Sequence, residues 1–105
     1  MTQDLLFKAL SDPTRRALFQ RLCHDGELTV QMLTDDAGIS QPAVSKHLAV
    51  LKAAGLVSLR PAGRQSHYSA RPEALQPLSN WVTLYSSFWA GRLDALTDFL
   101  RRIDQ

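Results

Sequence analysis

The first quarter of the chain carries apolar residues at helical spacing in two runs. The apolar residues of the first run share one helical face: Leu5, Leu6, Ala9 and Leu10. The second run begins at Asp12 and Pro13. This pair is typical of a helix start, because aspartate accepts from the free N–H groups and proline has no N–H to lose. Gly26 can adopt the positive φ that ends a helix. We therefore predict two helices before residue 27.

Residues 29–54 have the pattern of a helix-turn-helix. Thr29 is a suitable N-cap for a short helix, and Gly38 is a suitable end for it. Ser40 can then cap a second helix immediately. Two short helices joined by a turn that contains a glycine form the helix-turn-helix motif.

The second helix of this motif has two distinct faces. At about 100° per residue, one face gathers apolar residues that should enter the core: Val44, Leu48 and Leu51. The other face carries polar or small residues: Gln41, Pro42, Ser45, Lys46, Ala49 and Lys52. Small side chains allow another surface to come close, so this face is suited to contact a partner.

Residues 56–70 change from helical spacing to alternation. Val57 and Leu59 alternate with polar residues, and the alternation resumes after a turn at Pro61 to Arg64. This pattern predicts a β-hairpin. A hairpin directly after the second helix of a helix-turn-helix is a wing.

The last third of the chain, residues 75–103, predicts one long helix or a short helix that runs into it. Pro77 is tolerated only in a first turn. Apolar residues recur at three- and four-residue steps: Leu78, Trp81, Tyr85, Phe88, Trp89, Leu93, Leu96, Phe99, Leu100 and Ile103. This stripe is longer than the preceding 70 or so residues can cover, so part of it should meet a partner chain.

Charge is distributed unevenly along the chain. The net charge is +2, but residues 37–72 contain five basic residues and no acidic one, so that this segment is +5 and the rest is −3. Chance clustering is one explanation. The other is an electrostatic footprint for a polyanion.

A compact polar helix followed by a basic wing fits the major groove of DNA, which is about 12 Å wide and admits one α-helix. Gln41 can hydrogen-bond a base edge, Ser45 a base or a phosphate, and Lys46 guanine or the backbone. The helix N-terminus adds N–H groups and a positive dipole end. On the wing, Arg64 is suited to the minor groove. The predicted DNA-binding residues are Ser40, Gln41, Pro42, Ser45, Lys46, His47, Arg60, Arg64 and His67.

Several of these residues also have a simpler interpretation. Gln41 and Lys52 can be solvated surface residues, whereas His47 and His67 can be packed and hydrogen-bonded. Tyr68 is better explained as a core residue than as a DNA contact.

Three segments together resemble the ArsR/SmtB family of bacterial winged-helix repressors: FKALSDPTRRALFQRL, SQPAVSKHLAVLKAAGLV and RPAGRQSHYSA. The resemblance covers about residues 5 to 100. It implies a mainly α winged helix-turn-helix with a small β-hairpin, in the order α-α-α-α-β-β-α, as a single domain over residues 1–105. It also implies a homodimer, formed by the first and last helices, that binds double-stranded DNA at a palindromic operator and represses nearby genes, often its own.

The resemblance assigns roles to individual residues. Gln41, Ser45 and Lys46 belong to the base-reading set. The dimer interface is expected to contain Leu5, Leu6, Trp81, Tyr85, Phe88, Trp89, Leu93 and Leu96.

The metal sites of that family are not matched by this chain. Thr29 and Gln31 stand where one family site has cysteines, and neither is a soft thiolate ligand. Residues 71–105 contain three aspartates but no histidine, so a zinc site on the last helix is not built. We therefore expect no metal and no cofactor. Cys23, the single cysteine, is expected to be packed at a helix end, although pairing with His24 as a weak ligand site is the alternative.

Four other functions are weighed against the repressor. A winged-helix module for protein interactions would be expected to show acidic or large apolar residues on the second helix. A regulator that responds to an unknown small molecule could use the aromatic residues of the dimer interface, and a redox-responsive regulator could use Cys23. An enzyme is not expected, because no catalytic motif is visible.

The remaining expectations concern location. No apolar run approaches the ~18 residues of a membrane span, and the N-terminus has an acid at Asp4 but no apolar core of a signal peptide. With a single cysteine, no intramolecular disulfide can form. We expect a cytoplasmic protein without membrane partners.

Overall fold

The fold is mainly helical and contains one small sheet. The computed structural model describes the backbone of residues 2–103 and their side chains except those at positions 2, 89 and 93. The elements are α1 (Thr2–Ser11), α2 (Pro13–Asp25), β1 (Leu28–Thr29), α3 (Val30–Asp35), α4 (Gln41–Ala53), β2 (Val57–Ala62), β3 (Gln65–Ala70), a 3₁₀ turn (Pro72–Leu75), α5 (Gln76–Leu84) and α6 (Ser86–Ile103). The chain divides into two compact units, the first ending at Leu75 and the second beginning at Gln76.

Three helices begin at the N-caps that the sequence predicts. The Asp12 carboxylate accepts from the Arg15 N–H at 3.0 Å, and the Thr29 hydroxyl accepts from the Met32 N–H at 3.2 Å. The Ser40 hydroxyl accepts from the Ala43 N–H at 3.3 Å. Each cap satisfies one of the orphan donors of its helix, a contribution of about 1 kcal/mol. The starts of α2, α3 and α4 are therefore determined locally.

The core of the first unit is aliphatic. Its buried apolar side chains come from all four helices of the unit and from the start of the wing: Leu6, Ala9, Leu18, Phe19, Leu22, Leu33, Val44, Leu48, Leu51, Leu56 and Val57. Burying one such leucine side chain contributes roughly 1.5–3 kcal/mol. Since three of these residues lie on α4, the core holds that helix from one side only.

The wing belongs to a three-stranded sheet rather than to an isolated hairpin. The strand order is β1-β3-β2, and both pairings are antiparallel. The predicted order contains only the two wing strands, because a two-residue strand such as β1 is too short to show alternation. β1 pairs Leu28 with Tyr68 and Thr29 with His67. This pairing links the start of α3 to the wing.

The tip of the wing is shorter than the sequence suggests. Pro61 lies within β2 and is paired with Ser66, so that only two residues form the turn. Gly63 has φ of +62°, whereas Arg64 does not have a positive φ. That combination fits a type II′ hairpin turn, which favours glycine at its first central position.

The second unit contains two helices, which is the second of the two arrangements that the sequence predicts over residues 75–103. α5 ends at Leu84 and α6 begins at Ser86. The Ser86 hydroxyl donates to the Thr83 carbonyl at 2.9 Å, and side-chain bonds of this kind compete with the helical pattern. The Tyr85 N–H reaches back only to the Val82 carbonyl, which tightens the chain at the break. None of the described helices combines the length and apolarity that crossing a bilayer requires.

Candidate nucleic-acid interface

The two faces of α4 lie as the sequence predicts. Val44, Leu48 and Leu51 are completely buried. The residues of the opposite face are all exposed: Gln41, Pro42, Ser45, Lys46, Ala49 and Lys52. The helix thus presents a ridge of polar and small side chains to the surface, and this ridge carries no acidic group.

The N-terminus of α4 offers fewer free N–H groups than the sequence argument assumes. Pro42 has no N–H, and the Ala43 N–H is already bound by the Ser40 side chain. The Val44 N–H donates to the Ser40 carbonyl at 3.0 Å. This end of the helix can therefore bind a partner mainly through the exposed polar side chains of the ridge and through the helix dipole.

A polar crevice connects α4 to the wing. It has a volume of about 180 Å³ and is lined by Thr29, Val30, Gln31, Gln41, Arg64, Gln65 and Ser66. These residues come from the start of α3, the start of α4 and the tip of the wing. Amide and hydroxyl groups beside one arginine can bind a phosphate oxygen. Of the residues that line the crevice, only Gln41 and Arg64 belong to the DNA-binding set predicted from the sequence.

Gln31, Gln65 and Ser66 were missed because no local pattern distinguishes them from ordinary surface residues. The signal that could have identified Gln65 and Ser66 is their position directly after Arg64 at the tip. Gln31 had no such signal, since only the β1–β3 pairing brings the start of α3 to the wing.

The side chain of Glu27 lies against two of the predicted DNA-binding residues. Arg60 donates through Nε and Nη2 to the two carboxylate oxygens of Glu27. His67 Nδ1 lies 3.4 Å from Glu27 Oε1, and the Ser69 hydroxyl donates to Oε2 at 3.2 Å. The hydrogen bond from Arg60 is the main reason that the pKa of Glu27 lies below its ordinary value of 4.5.

This cluster corrects the argument from charge. The segment of residues 37–72 contains no acid in the sequence, but its surface does meet one in the fold. The pairing of β1 with β3 carries Glu27 to Arg60, which is 33 positions away in the chain. The Arg60 guanidinium at the base of the wing is therefore paired with a carboxylate, although it is exposed. Arg64 and Lys46 are exposed as well.

The two histidines of the predicted set are half-buried. His47 lies within electrostatic reach of Asp12, where it helps to lower the pKa of that carboxyl after the larger effect of the Arg15 N–H. His67 stands opposite Arg60 in the sheet. His67 is half-buried beside Glu27, and its contact with DNA stays a prediction.

Asp36 has a structural role at the end of α3. Arg21 of α2 forms an ion pair with Asp36, with Nη2 and Oδ2 3.1 Å apart. The same guanidinium donates through Nη1 to the Met32 carbonyl at 3.0 Å. Arg21 thus ties α3, the scaffold helix of the helix-turn-helix, to α2, and it neutralises Asp36.

The residues predicted for a dimer interface are placed differently in the two units. Leu6 has no accessible surface. It belongs to the core of its own chain, and its assignment to the interface is wrong. Leu5 is 54% exposed. Helical periodicity cannot separate these neighbours, because both flank the buried face of α1.

In the second unit the predicted interface residues that can be described are exposed: Trp81, Tyr85, Phe88 and Leu96. The side chains of Trp89 and Leu93 lie outside the described residues. The Trp81 and Tyr85 rings pack with centroids 5.1 Å apart, and the Arg92 guanidinium lies 4.2 Å from the Phe88 ring centroid. Trp81, Val82, Tyr85 and Phe88 line an open apolar cavity of about 420 Å³.

Cys23 is exposed, so the expectation that it packs in the core is wrong. Partial desolvation raises the pKa of its thiol. This direction disfavours the thiolate, which is the reactive form.

Among the described residues, no three histidine, cysteine or acidic side chains come together as a metal-ligand group. Thr29 is occupied as the N-cap of α3.

Comparison with known proteins places this architecture in a family. A model described as a helix-turn-helix domain matches residues 10–60. The HTH-type transcriptional regulator Rv2034 of Mycobacterium tuberculosis is 45% identical over 101 residues, which cover 96% of this chain and 88% of the relative. The transcriptional repressor SdpR of Bacillus subtilis is 38% identical over 77 residues, which cover 73% of this chain and 84% of the relative.

A solved structure agrees with these relatives. The crystal structure of an ArsR family transcriptional regulator superposes with a TM-score of 0.76 at 28% identity, covering 85% of this chain and 91% of the other. Proteins of this kind bind DNA through the helix-turn-helix and are not enzymes. With the exposed ridge of α4 beside a wing, and a relative that aligns over nearly the whole length, the chain belongs to the ArsR family of winged helix-turn-helix transcriptional regulators.

Proposed function

We propose that this protein is a homodimeric repressor that binds a palindromic operator through α4 and the wing. The observation that carries the proposal is the acid-free ridge of α4, exposed along its length beside the polar crevice and Arg64. A surface of this kind matches the major groove in width and the phosphate backbone in charge.

Within this interface the residues divide by role. Gln41, Ser45 and Lys46 read base edges, because they project from the exposed face of α4 near its N-terminus. Ser40 and Pro42 fix the start of the helix and its approach to the groove. Arg64 at the tip of the wing lies at the edge of the minor groove, where it also reaches the adjacent backbone phosphate, and His47 lies at the flank, next to the DNA backbone.

The crevice provides a seat for a backbone phosphate between the two reading elements. Gln31 and Ser66 supply neutral donors, and Arg64 supplies the charge. A phosphate held there fixes the register of α4 in the groove without reading sequence.

Dimerisation follows from apolar surface that the chain does not cover itself. Among the described residues, thirteen large apolar side chains are exposed, and nine of them belong to the second unit. A second copy of the chain is the partner that supplies a matching apolar face in every cell that makes the protein. The first unit also has exposed apolar side chains on α1, Leu5 and Phe7, which a partner chain would cover.

Two copies related by a twofold axis present two α4 ridges. When these ridges lie about 34 Å apart, one turn of the duplex, they read the two halves of a palindrome. Repression of an adjacent operon, or of the protein's own gene, is supported by the repressor SdpR among the relatives. Such a protein acts in the bacterial cytoplasm, where its operator lies.

Binding to DNA from the protein's own promoter tests this proposal. Fluorescence anisotropy should show tight binding to a palindromic fragment and weaker binding to a scrambled fragment of the same composition. The affinity should fall steeply with salt as phosphate counterions are released. Equal affinity for both fragments, or affinity that does not change with salt, would contradict the proposal and favour a protein-interaction module.

A charge-matched pair of variants locates the interface. Lys46→Ala should weaken operator binding by about tenfold, since a good base contact contributes roughly 1–3 kcal/mol. Arg102→Ala removes the same charge from the end of α6 and should leave the affinity almost unchanged. Equal losses in both variants would mean that only net charge matters.

The aromatic cavity of the second unit supports a second candidate function, control by an apolar small molecule. Its volume of about 420 Å³ and its lining of Trp81, Val82, Tyr85 and Phe88 suit a ligand of drug size. A ligand there should quench Trp81 fluorescence and weaken operator binding in parallel. Quenching with no change in DNA affinity would leave the cavity without a regulatory role.

A further inference from the structure

The carboxylate of Glu27 lies against two of the predicted DNA-binding side chains of the wing, Arg60 and His67. Its two oxygens accept hydrogen bonds from Nε and Nη2, which form one edge of the Arg60 guanidinium. It also accepts from Ser69 and lies 3.4 Å from a ring nitrogen of His67. One carboxylate therefore engages three side chains on the polar face of the sheet.

The register of the sheet explains why these groups converge. Arg60 and His67 are direct partners between β2 and β3. Leu28 pairs with Tyr68, so the residue before β1 falls beside Ser69. Side chains two positions apart share a face of a strand. Glu27, Arg60, His67 and Ser69 consequently occupy one patch, three residues or more from the turn at Gly63.

This arrangement affects the binding of a polyanion. An arginine that neutralises a phosphate releases a counterion and strengthens binding. Arg60 already has a carboxylate partner in a bidentate arrangement, which is a strong form of pairing for arginine. Its side chain is nevertheless 60% exposed, and that of Glu27 is 35% exposed. A phosphate can therefore reach the patch, but it meets an anion there.

We propose that Glu27 is a negative determinant of DNA affinity, because its carboxylate holds the Arg60 side chain and withholds that positive charge from the phosphate backbone. The inference rests on the proposed DNA binding. Through Glu27 the wing contacts DNA mainly at its tip, by Arg64. The non-specific, charge-driven part of binding is reduced, and the share of the affinity that comes from base reading by α4 is increased.

The isosteric variant Glu27→Gln tests this inference. Glutamine retains an acceptor for Ser69 and Arg60 but removes the negative charge. The variant should bind operator and scrambled DNA more tightly than wild type, and the discrimination between the two should fall. Each freed arginine that meets one phosphate adds about 0.9 to the slope of the logarithm of affinity against the logarithm of salt concentration. The gain in affinity of the variant over wild type should therefore grow about threefold per subunit as salt is lowered from 200 to 50 mM.

Glu73→Gln provides the matched control. Glu73 forms an ion pair with Arg71, with Oε1 and Nε 3.1 Å apart, outside the wing. The substitution changes the net charge by the same amount, so an effect of overall charge would appear equally in both variants. The double variant Glu27→Gln/Arg60→Gln should lose most of the gain, because the freed arginine is then absent.

The outcomes separate this inference from the proposed function. If wild type does not bind DNA, the proposed function fails. If wild type binds and Glu27→Gln binds equally or more weakly, Glu27 only supports the wing and the inference is overturned. Thermal melting accompanies each measurement, and the conservative variant Glu27→Asp, which keeps the charge, should retain wild-type salt dependence.

Discussion

Arg21 Nη2 and Asp36 Oδ2 lie 3.1 Å apart, joining α2 to the end of α3. The same guanidinium also donates to the Met32 carbonyl at 3.0 Å. One side chain therefore neutralises an acid in the turn of the helix-turn-helix and binds a carbonyl of the scaffold helix. The position of the turn in front of α4 depends in part on this arginine.

Arg21→Ala should lower the free energy of unfolding by about 1 kcal/mol, because a partly buried arginine loses hydrogen bonds to a charged and a backbone partner. Urea unfolding followed by circular dichroism measures the change. Arg71→Ala is the control, since it removes the more exposed pair with Glu73 and should change stability by less than about 0.5 kcal/mol. Equal effects would mean that the Arg21 contacts contribute no more than a surface pair.

Leu48→Ala should destabilise the first unit by roughly 2–5 kcal/mol, because it removes a completely buried side chain and leaves a cavity. Since α4 is held by the core from one side, operator binding should fall with the folded fraction. Thermal melting with DNA titration measures both effects. Val50→Ala, on the exposed side of the same helix, should cost much less, and a similar loss there would contradict the assignment of the two faces.

Gln31→Ala tests the crevice as a phosphate seat. Because a phosphate contact carries no sequence information, the variant should weaken binding to operator and scrambled DNA by the same factor. Anisotropy with both fragments provides the measurement. Gln20→Ala is the matched control on the exposed side of α2 and should bind like wild type. A loss for the operator alone would mean that Gln31 reads bases.

Phe88→Asp should shift the proposed dimer towards monomer, because it places a charge in the exposed apolar face that the proposal assigns to the interface. Sedimentation velocity measures the change in mass. Ser87→Asp introduces the same charge one position earlier, in the first turn of α6, where a negative charge is tolerated. If both variants remain dimeric, the interface lies elsewhere.

Acid should destabilise the first unit by protonating two carboxyl groups whose pKa is lowered in the folded state. The pKa of Glu27 is lowered mainly by the hydrogen bond from Arg60, and that of Asp12 mainly by the Arg15 N–H. A carboxyl whose pKa is lower in the folded state contributes stability that is complete above its unfolded pKa. These contributions should therefore be lost as the pH falls below the ordinary values of 4.5 for Glu27 and 3.8 for Asp12.

Unfolding in urea at a series of pH values between 7 and about 3 follows this loss. The free energy of unfolding of Glu27→Gln should fall less steeply with decreasing pH than that of wild type, since glutamine cannot take up the proton. A parallel decline in both proteins would show that Glu27 contributes nothing to the acid sensitivity.

Local features of the fold could be predicted from particular residues. Asp12, Thr29 and Ser40 cap their helices as expected, because a cap depends on residues within three positions of it. The burial of Val44, Leu48 and Leu51 followed from helical spacing alone. The break between α5 and α6 was not resolved, because the apolar stripe continues across Tyr85 and only the hydroxyl contacts of Ser86 and its neighbours interrupt the helix.

The candidate site was predicted only in part. The exposed ridge of α4 follows from its own sequence, whereas the neutralisation of Arg60 does not, because its partner Glu27 lies 33 positions earlier. The prediction for Leu6 failed for a similar reason, because local sequence does not show which surface covers an apolar side chain. Periodicity marks a residue as inward-facing but cannot say whether its own core or a partner covers it.

By itself, the sequence determined the four helices of the first unit, the caps of α2, α3 and α4 and the two faces of α4, since spacing and capping act over one or two turns of chain. Only the tertiary structure decided which basic groups of the wing remain available to a phosphate. The reason is physical: electrostatic pairing depends on distance in space, and the short strand β1 brings an acid from outside the basic segment into contact with it.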